Sequence, residues 1–389
     1  MRFGNFCSAN FKHTAPGTQP LHPASTARNP AIDGLRGIAI LAVLCWHAFA
    51  IHLVSTFPSL AGPLSLLWSG VDLFFVLSGF LIGSILLANA TARNYFQVFY
   101  ARRAARILPL YAIVIGLSIW LAVDENTWVL VFFVQNIQWS VQERFGHGVV
   151  GVTWSLAVEE QFYLVLPPLI RFLPTKYLPA TLVLLIGLAP ALRTALWLSG
   201  HDMPAYLLLP CRMDSLFAGV LAAWFLSSDH RRALIKRNRT GLKVLTGVFV
   251  LGLWGLASAE LTIFSPLMVS VGYTFIAAVY VLVLVLVVTS QRPFPTLLLP
   301  LSWVGIGAYS LYLFHLPLAV YWPKILFEGA SVAEGFGSYI AALAFIAFVA
   351  WWLIERPLIK FVRKALPYEQ QDPQVPTILT PELMPQPMR

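Results

Sequence analysis

Charged residues are scarce in this 389-residue chain, where Asp, Glu, Lys and Arg together make 11% of the sequence, against about a quarter in a soluble domain. That shortage, with 58% hydrophobic residues and a mean hydropathy of +0.74, excludes an ordinary soluble enzyme and reads as a polytopic membrane protein. Cysteine is scarce too. Cys7, Cys45 and Cys211 are widely spaced and odd in number, which argues against a disulfide framework or a zinc site and leaves the redox compartment open. Acidic residues number 17 against 26 Lys and Arg, for a net charge of +9. A basic chain can signal nucleic acid, but here the basic residues fall between apolar runs, as membrane topology requires, so no nucleic-acid partner is expected.

The first apolar run is AIDGLRGIAILAVLCWHAFAIH, residues 31 to 52. It is long enough to span a bilayer, and its late start and full length suit a retained signal anchor rather than a cleaved signal peptide. Further spans are expected near 66–88, 107–123, 150–172, 178–199, 205–228, 241–258, 263–290, 299–322 and 336–362. The expected fold is therefore all-α, a polytopic integral membrane bundle of about ten transmembrane helices with both termini cytoplasmic. Basic residues alternate accordingly. Arg93, Arg102, Arg103 and Arg106 precede the third span, Arg171 and Lys176 follow the fourth, and six more lie between Arg231 and Lys243 before the seventh. Lys360, Arg363 and Lys364 close the series, while the opposite loops carry little beyond Arg144 and Lys324. Residues 1–30, which hold no acidic residue, and 367–389, rich in Pro and polar residues, read as disordered cytoplasmic tails around a transmembrane domain at 31–366. No soluble catalytic domain is expected within the chain. Trp128 to Ile137 is apolar but too short to span, and is expected to be re-entrant or interfacial.

Ionisable residues inside the spans are the candidates for function, because such groups are costly in lipid and usually face a bundle interior or a wet cavity. Arg36 and His47 are eleven residues apart, which returns them to nearly one helix face about 16 Å apart along the axis. A snorkelling arginine and a histidine joining two helices is the structural alternative, and the depth of His47 favours function. Asp72, in GVDLFFVLSGFLIGS, lies at a depth similar to His47 on the next span and is expected either to orient it or to be a helix-start carboxylate near water. Ser78, Gly79, Gly70 and Gly83 are expected to serve close helix packing. Arg102, Arg103 and Arg106 form a cluster suited to acidic lipid or to phosphate. WSLAVEEQFYLVLPP carries Ser155, Glu159, Glu160, Gln161 and Tyr163; adjacent carboxylates point about 100° apart, so one of them should meet a cavity or a basic partner, with Arg212 and Asp214 as candidates. Tyr309, Tyr312 and His315 form a polar stripe, and Glu355 is placed to brace Arg36 or the basic cluster.

Seven segments in order, DGLRGIAILAVLCWH, GVDLFFVLSGFLI, RRAARILPLY, WSLAVEEQFYLVLP, RMDSLFAG, YSLYLFHLPL and IERPLIKF, resemble the bacterial membrane-bound acyltransferase-3 family, O-acetyltransferases of surface glycans and other acceptors. The resemblance implies an inner-membrane enzyme that takes an acyl group from cytoplasmic acyl-coenzyme A, most often acetyl-coenzyme A, and passes it to a carbohydrate hydroxyl in the periplasm. It implies essential roles for Arg36 and His47. Many relatives carry an appended periplasmic hydrolase-like domain; none is expected here, so either the membrane domain acts alone or a separate periplasmic protein completes the transfer. The resulting expectation places His47 and Asp72 at the chemistry, Arg36, Arg102, Arg103, Arg106 and Glu355 at coenzyme A, and Glu159, Glu160, Arg212, Asp214 and His315 at the acceptor, with no metal. A secondary transporter also uses intramembrane His, Glu and Arg, but the halves of the chain share no repeated motif. A scaffolding protein would not explain polar groups clustered by side.

Overall fold

The computed structural model describes residues 29–48, 61–259, 261–326 and 332–370. Among the described residues all regular structure is helical. Helix α1 (Pro30–Ala48) shows how local sequence sets a start. Asn29 Oδ1 accepts from the Ala31 amide at 3.0 Å, Pro30 takes a first-turn position that needs no N–H, and Asp33 lies toward the positive end of the helix dipole. The long helices that follow are α2 (Gly70–Ala88), α3 (Tyr95–Trp120), α6 (Thr153–Phe172), α7 (Leu178–Leu198), α8 (Met213–Leu226), α9 (Arg239–Ser258) and α10 (Tyr273–Val288). Two short helices, α4 (Thr127–Val131) and α5 (Gln135–Val141), link α3 to α6, and α11 (Leu299–Ile306), α12 (Ala308–Leu326), α13 (Val332–Ala350) and α14 (Arg356–Ala365) complete the chain.

Among the described residues seven helices are long and apolar enough to cross a membrane, and the pair Thr296–Ile306 and Ala308–Trp322, bent by 63°, makes an eighth if taken as one span. The chain is thus a multi-pass membrane protein. The two remaining expected spans fall on α6, whose apolarity is broken by Glu159, Glu160 and Arg171, and on α8, which is only 14 residues long. The outer face of α9 is apolar and exposed at Val244, Leu251 and Trp254, as a lipid-facing surface must be.

The apolar piece at 128–137 forms α4 and the start of α5. Its Trp128 and Phe132 are exposed, whereas Gln135 and Asn136 are fully buried. Gln135 Nε2 donates to the Thr153 carbonyl at 2.9 Å and Asn136 Nδ2 to the Leu207 carbonyl at 3.1 Å, which pins the piece to the bundle. Beside it Glu125 collects Arg144 at 2.7 Å, the Trp139 indole at 3.0 Å and the His147 amide at 2.8 Å. Of the two expected tails, residues 1–28 and 371–389 lie outside the described residues. Pro367 to Gln370 are described and lie along the start of α3, where Asn94 exchanges hydrogen bonds with the Pro367 carbonyl and the Glu369 amide.

Glycines set the two closest helix contacts. A Cβ at Gly79 would land on the Leu216 carbonyl and one at Gly219 on the Val76 carbonyl, so α2 and α8 approach backbone to backbone. Gly37 and Gly305 do the same for α1 and α11, against Leu301 and Asp33. The packing role expected of Gly79 and Gly83 is realised at Leu216 and Val220, whereas Ser78 faces away from that seam toward α6.

Two outcomes follow from this packing. Gly219→Val forces α2 and α8 apart and should cost at least the ~1–3 kcal/mol typical of overpacking, read as a lower thermal midpoint in detergent; Gly247→Val, where a Cβ meets nothing within 4 Å, should leave the midpoint unchanged. Glu125 responds to pH. Burial raises the pKa of its carboxyl, but the bonds from Arg144, Trp139 and the His147 amide outweigh burial and hold it below the usual value. A depressed folded pKa contributes stability that is present above the unfolded value, roughly 4.3, and lost as the pH falls through the folded one. The destabilisation caused by Glu125→Gln should therefore be full at pH 7 and fade in melts below about pH 4.

Candidate active site: an arginine-lined cavity and a histidine pair

Helices α1, α2, α3, α6 and α12 surround a cavity of about 820 Å³, its open mouth included. Arg36 from α1 and Arg103 and Arg106 from α3 line it, one carboxylate, Glu159, faces them, and Phe74, Phe75 and Leu81 supply apolar wall. The lining itself thus carries three guanidiniums and one carboxylate in a site walled by apolar side chains. An anion entering such a site meets charges that water screens poorly. Arg36 lies 3.9 Å from Asp33 and also feels Glu355 and Glu159. Glu355 is buried and its Oε2 accepts from Ser310 at 3.4 Å.

Arg102 is held elsewhere. Its Nη2 donates to the Leu366 carbonyl at 2.9 Å and its guanidinium lies 4.8 Å from the Tyr368 ring, so the segment after α14 engages it outside the cavity lining. Helical periodicity does not make this division, because Arg102 lies four residues from Arg106 and Arg103 three, so both are its same-face neighbours; the contacts of Arg102 with Leu366 and Tyr368 make it.

Glu159 departs from its expected place on the acceptor side. It sits among the cavity arginines, accepts from Ser78 Oγ at 2.5 Å, and has the Tyr163 hydroxyl 3.5 Å from its other oxygen. Glu160, about 100° further round the helix, interacts with Arg103 through its charge only and leaves Oε1 without a hydrogen-bond partner among the described residues. The two carboxylates do have different surroundings, as their adjacency requires.

Asp72 also departs from expectation. Its Oδ1 accepts from Arg212 Nη1 at 3.2 Å and from Ser215 Oγ at 3.1 Å, rather than from His47. Arg212 is wrapped by Tyr206, Tyr273 and Trp154 at 4.3, 4.4 and 5.4 Å. Nearby, Arg193 of α7 bonds Asp214 at 2.7 Å, and Asp214 also accepts from Thr274 at 2.6 Å. All four charged side chains are at most 1% exposed. Arg212 and Asp214, expected at the acceptor, are therefore closed off from any ligand in this conformation, since each buried charge is turned onto its opposite. Sequence reasoning misses Arg193. The available signal is a lone arginine inside the apolar run LVLLIGLAPALRTALWL, which by itself demands a buried partner.

His47 lies in the last turn of α1 and its Nδ1 is 3.0 Å from the Val43 carbonyl. The partner the structure gives it is His315 of α12, whose Nε2 is 3.3 Å from His47 Nδ1, with the rings 5.1 Å apart. Fully buried, His315 bonds the Tyr312 carbonyl through Nδ1 at 2.7 Å. Tyr312 lines the cavity and its hydroxyl meets Ser155 at 2.5 Å, so one turn of α12 joins the cavity to the histidine pair. No group of three or more His, Cys, Asp or Glu able to hold a metal occurs among the described residues. The arrangement offers an anion site and an imidazole on one helix, α1, which is what transfer of a group from an anionic carrier needs.

A helical membrane bundle with this basic cavity falls among the membrane acyltransferases. The acyltransferase domain family, acyltransferase-3, matches residues 29–356, and the chain belongs to it. It is similar to the O-acetyltransferase OatA of Staphylococcus aureus, at 25% identity over 87% of this chain and 58% of that protein. It is also similar to the peptidoglycan O-acetyltransferase OatA of Listeria monocytogenes, at 26% identity over 85% of this chain and 56% of the relative. The putative peptidoglycan O-acetyltransferase YrhL of Bacillus subtilis matches at 25% over 85% of this chain and 54% of its own length. The chain thus spans a little over half the length of these relatives. No solved structure matches.

The buried pairs give a stability prediction. Arg212→Ala leaves Asp72 in the bundle without its cation, held only by Ser215, and should cost about 3–5 kcal/mol, measured as a fall in thermal midpoint and in monodisperse yield.

Proposed function

We propose that this chain is a membrane O-acyltransferase that moves an acetyl group from cytoplasmic acetyl-coenzyme A to a hydroxyl of an extracytoplasmic carbohydrate. The observation that carries the reading is the cavity in which Arg36, Arg103 and Arg106 face inward together. Phosphates of the donor dock on these guanidiniums through charge-assisted bonds, and the pantetheine arm extends along α1 toward His47. There His47 acts as general base on the acceptor hydroxyl. Glu159 keeps the guanidiniums apart and oriented, Glu355 braces Arg36, and Arg102 contributes at the margin. Asp72, Arg212 and Asp214 hold the bundle rather than the acceptor. Glu160, with one unpartnered oxygen, is the carboxylate we assign to the acceptor path.

The activities of the relatives, two of them named for peptidoglycan O-acetylation, support a cell-wall glycan as acceptor class. The basic residues between spans support ten crossings of the bacterial inner membrane with both termini cytoplasmic. In that topology the donor cavity opens inward and the acceptor reaches the histidine end from outside, with or without a separate periplasmic protein to complete the transfer.

The test uses full-length protein in nanodiscs with acetyl-coenzyme A and glycan acceptor, following thiol release. His47→Ala should lower kcat by about 10²–10⁴-fold, Arg36→Ala and Arg106→Ala should raise the KM for acetyl-coenzyme A at least tenfold, and Arg102→Ala should raise it less than Arg106→Ala. Unchanged thiol release from a folded His47→Ala protein overturns the reading, as does a wild-type protein that neither binds nor cleaves the thioester.

A further inference from the structure

His47 as drawn above requires a bare imidazole nitrogen aimed at the acceptor, and an imidazole has two nitrogens and, when neutral, one proton. Which nitrogen is bare is decided by its surroundings, and here those surroundings form a closed logical chain. The Tyr312 carbonyl is an acceptor only, so the His315 Nδ1 that lies 2.7 Å from it must carry a proton. Neutral His315 then presents a lone pair on Nε2. That lone pair lies 3.3 Å from His47 Nδ1, and the Val43 carbonyl lies 3.0 Å from the same atom. Both neighbours accept, so His47 Nδ1 must be the donor, sharing one proton between them. His47 Nε2 is left bare, and no described residue hydrogen-bonds to it.

We infer that His315 is a positioning residue that sets the tautomer and ring orientation of His47, making Nε2 the base. The inference rests on the acyltransferase reading of His47 and replaces an acceptor-contact role for His315. Two backbone carbonyls anchor the chain, at Tyr312 and Val43, and neither can reverse its polarity. The Tyr339 hydroxyl closes the other side by donating to the His315 carbonyl at 3.1 Å, which ties α13 to the turn that carries the ring. The groups facing the pair are thus Tyr312 and Tyr339, with no charged side chain in hydrogen-bond contact among the described residues.

The acceptor oxygen bonds to the thioester carbonyl carbon while its proton passes to His47 Nε2. The resulting imidazolium keeps its Nδ1 proton shared with His315 Nε2 and the Val43 carbonyl. The carbon–sulfur bond breaks, and the thiolate of coenzyme A takes the proton from Nε2, returning His47 to its starting tautomer. His315 never gains or loses a proton.

The experiment compares His315→Gln with His315→Met in full-length protein. The two side chains are close in size, but only Gln offers an acceptor oxygen near the position of His315 Nε2. His315→Met should lower kcat roughly 10- to 100-fold with the KM for acetyl-coenzyme A and the thermal midpoint unchanged, and His315→Gln should recover most of that loss. Equal activity in the two variants, whether both retain wild-type kcat or both lose it alike, overturns the inference, because packing alone would not tell Gln from Met. His47→Ala run in parallel separates the outcomes: if it is fully active, the acyltransferase role of His47 has failed, whereas an inactive His47→Ala beside indistinguishable His315 variants refutes only the positioning role.

Discussion

An ion buried in a bundle surrounded by lipid must meet its opposite, because the cost of an uncompensated charge there is several kcal/mol. Most of the polar architecture of this protein follows from that constraint. Arg193 with Asp214, and Arg212 with Asp72, draw α2, α7 and α8 into one electrically neutral block whose charged side chains are at most 1% exposed, and Thr274 adds α10 to it. The aromatic rings around Arg212 complete its environment, since guanidinium faces are weakly hydrated and stack well. The cavity is arranged differently. Arg36, Arg103 and Arg106 line it with a single carboxylate, Glu159, while Asp33 and Glu355 beside Arg36 and Glu160 beside Arg103 act on them from outside the lining. A core of closed ion pairs next to a cavity lined mainly by guanidiniums is how a membrane protein keeps its fold while reserving a site for a ligand.

Glycine makes the compensation geometrically possible. Asp72 and Arg212 can meet because α2 and α8 touch backbone to backbone at Gly79 and Gly219; larger residues at that seam would separate the pair and strand both charges. Gly37 performs a related service on α1. It sits directly after Arg36 and lies against the Leu301 carbonyl, so α11 closes the back of α1 while Arg36 turns into the cavity. Packing and electrostatics are thus one design problem, with small residues setting the distances at which ions pair.

Helical class, the membrane character and most helix positions were legible in the sequence, because they depend on hydropathy, which sums over twenty residues and tolerates local error; breaks such as the 63° bend between Ile306 and Ala308 were not. The placement of Arg36 and His47 on a single helix, α1, was legible too. What failed was neighbour identity. Depth along the membrane placed Asp72 level with His47, and the structure gives Asp72 to Arg212 and His47 to His315. Depth is one coordinate, and partner choice in a bundle needs the two lateral ones, which arise from contacts such as the Gly79–Leu216 seam that no local pattern encodes. Glu159 was displaced for the same reason. Its helix and its distinction from Glu160 could be read, but whether it faced the acceptor or the donor arginines depended on how α6 packs against α2 and α3.

A carboxylate is the usual orienter of a catalytic imidazole, and the reason for a second imidazole in its place follows from the constraint on buried charge. An aspartate behind His47 would be an anion needing its own cation, and any cation close enough to serve would disfavour the imidazolium that general-base catalysis must form. A neutral imidazole oriented by a carbonyl accepts one hydrogen bond, carries no charge, and needs no counter-ion. Its hold on the imidazolium is weaker than a carboxylate's, since charge-assisted bonds are about twice as strong as neutral ones. The thioester offsets that weakness, because its thiolate leaving group is stable and asks less of the base than an amide would. A pair of histidines anchored at Tyr312 and Val43 is therefore a consistent way to orient a base within a bundle where Asp72 and Asp214 are already committed to arginines.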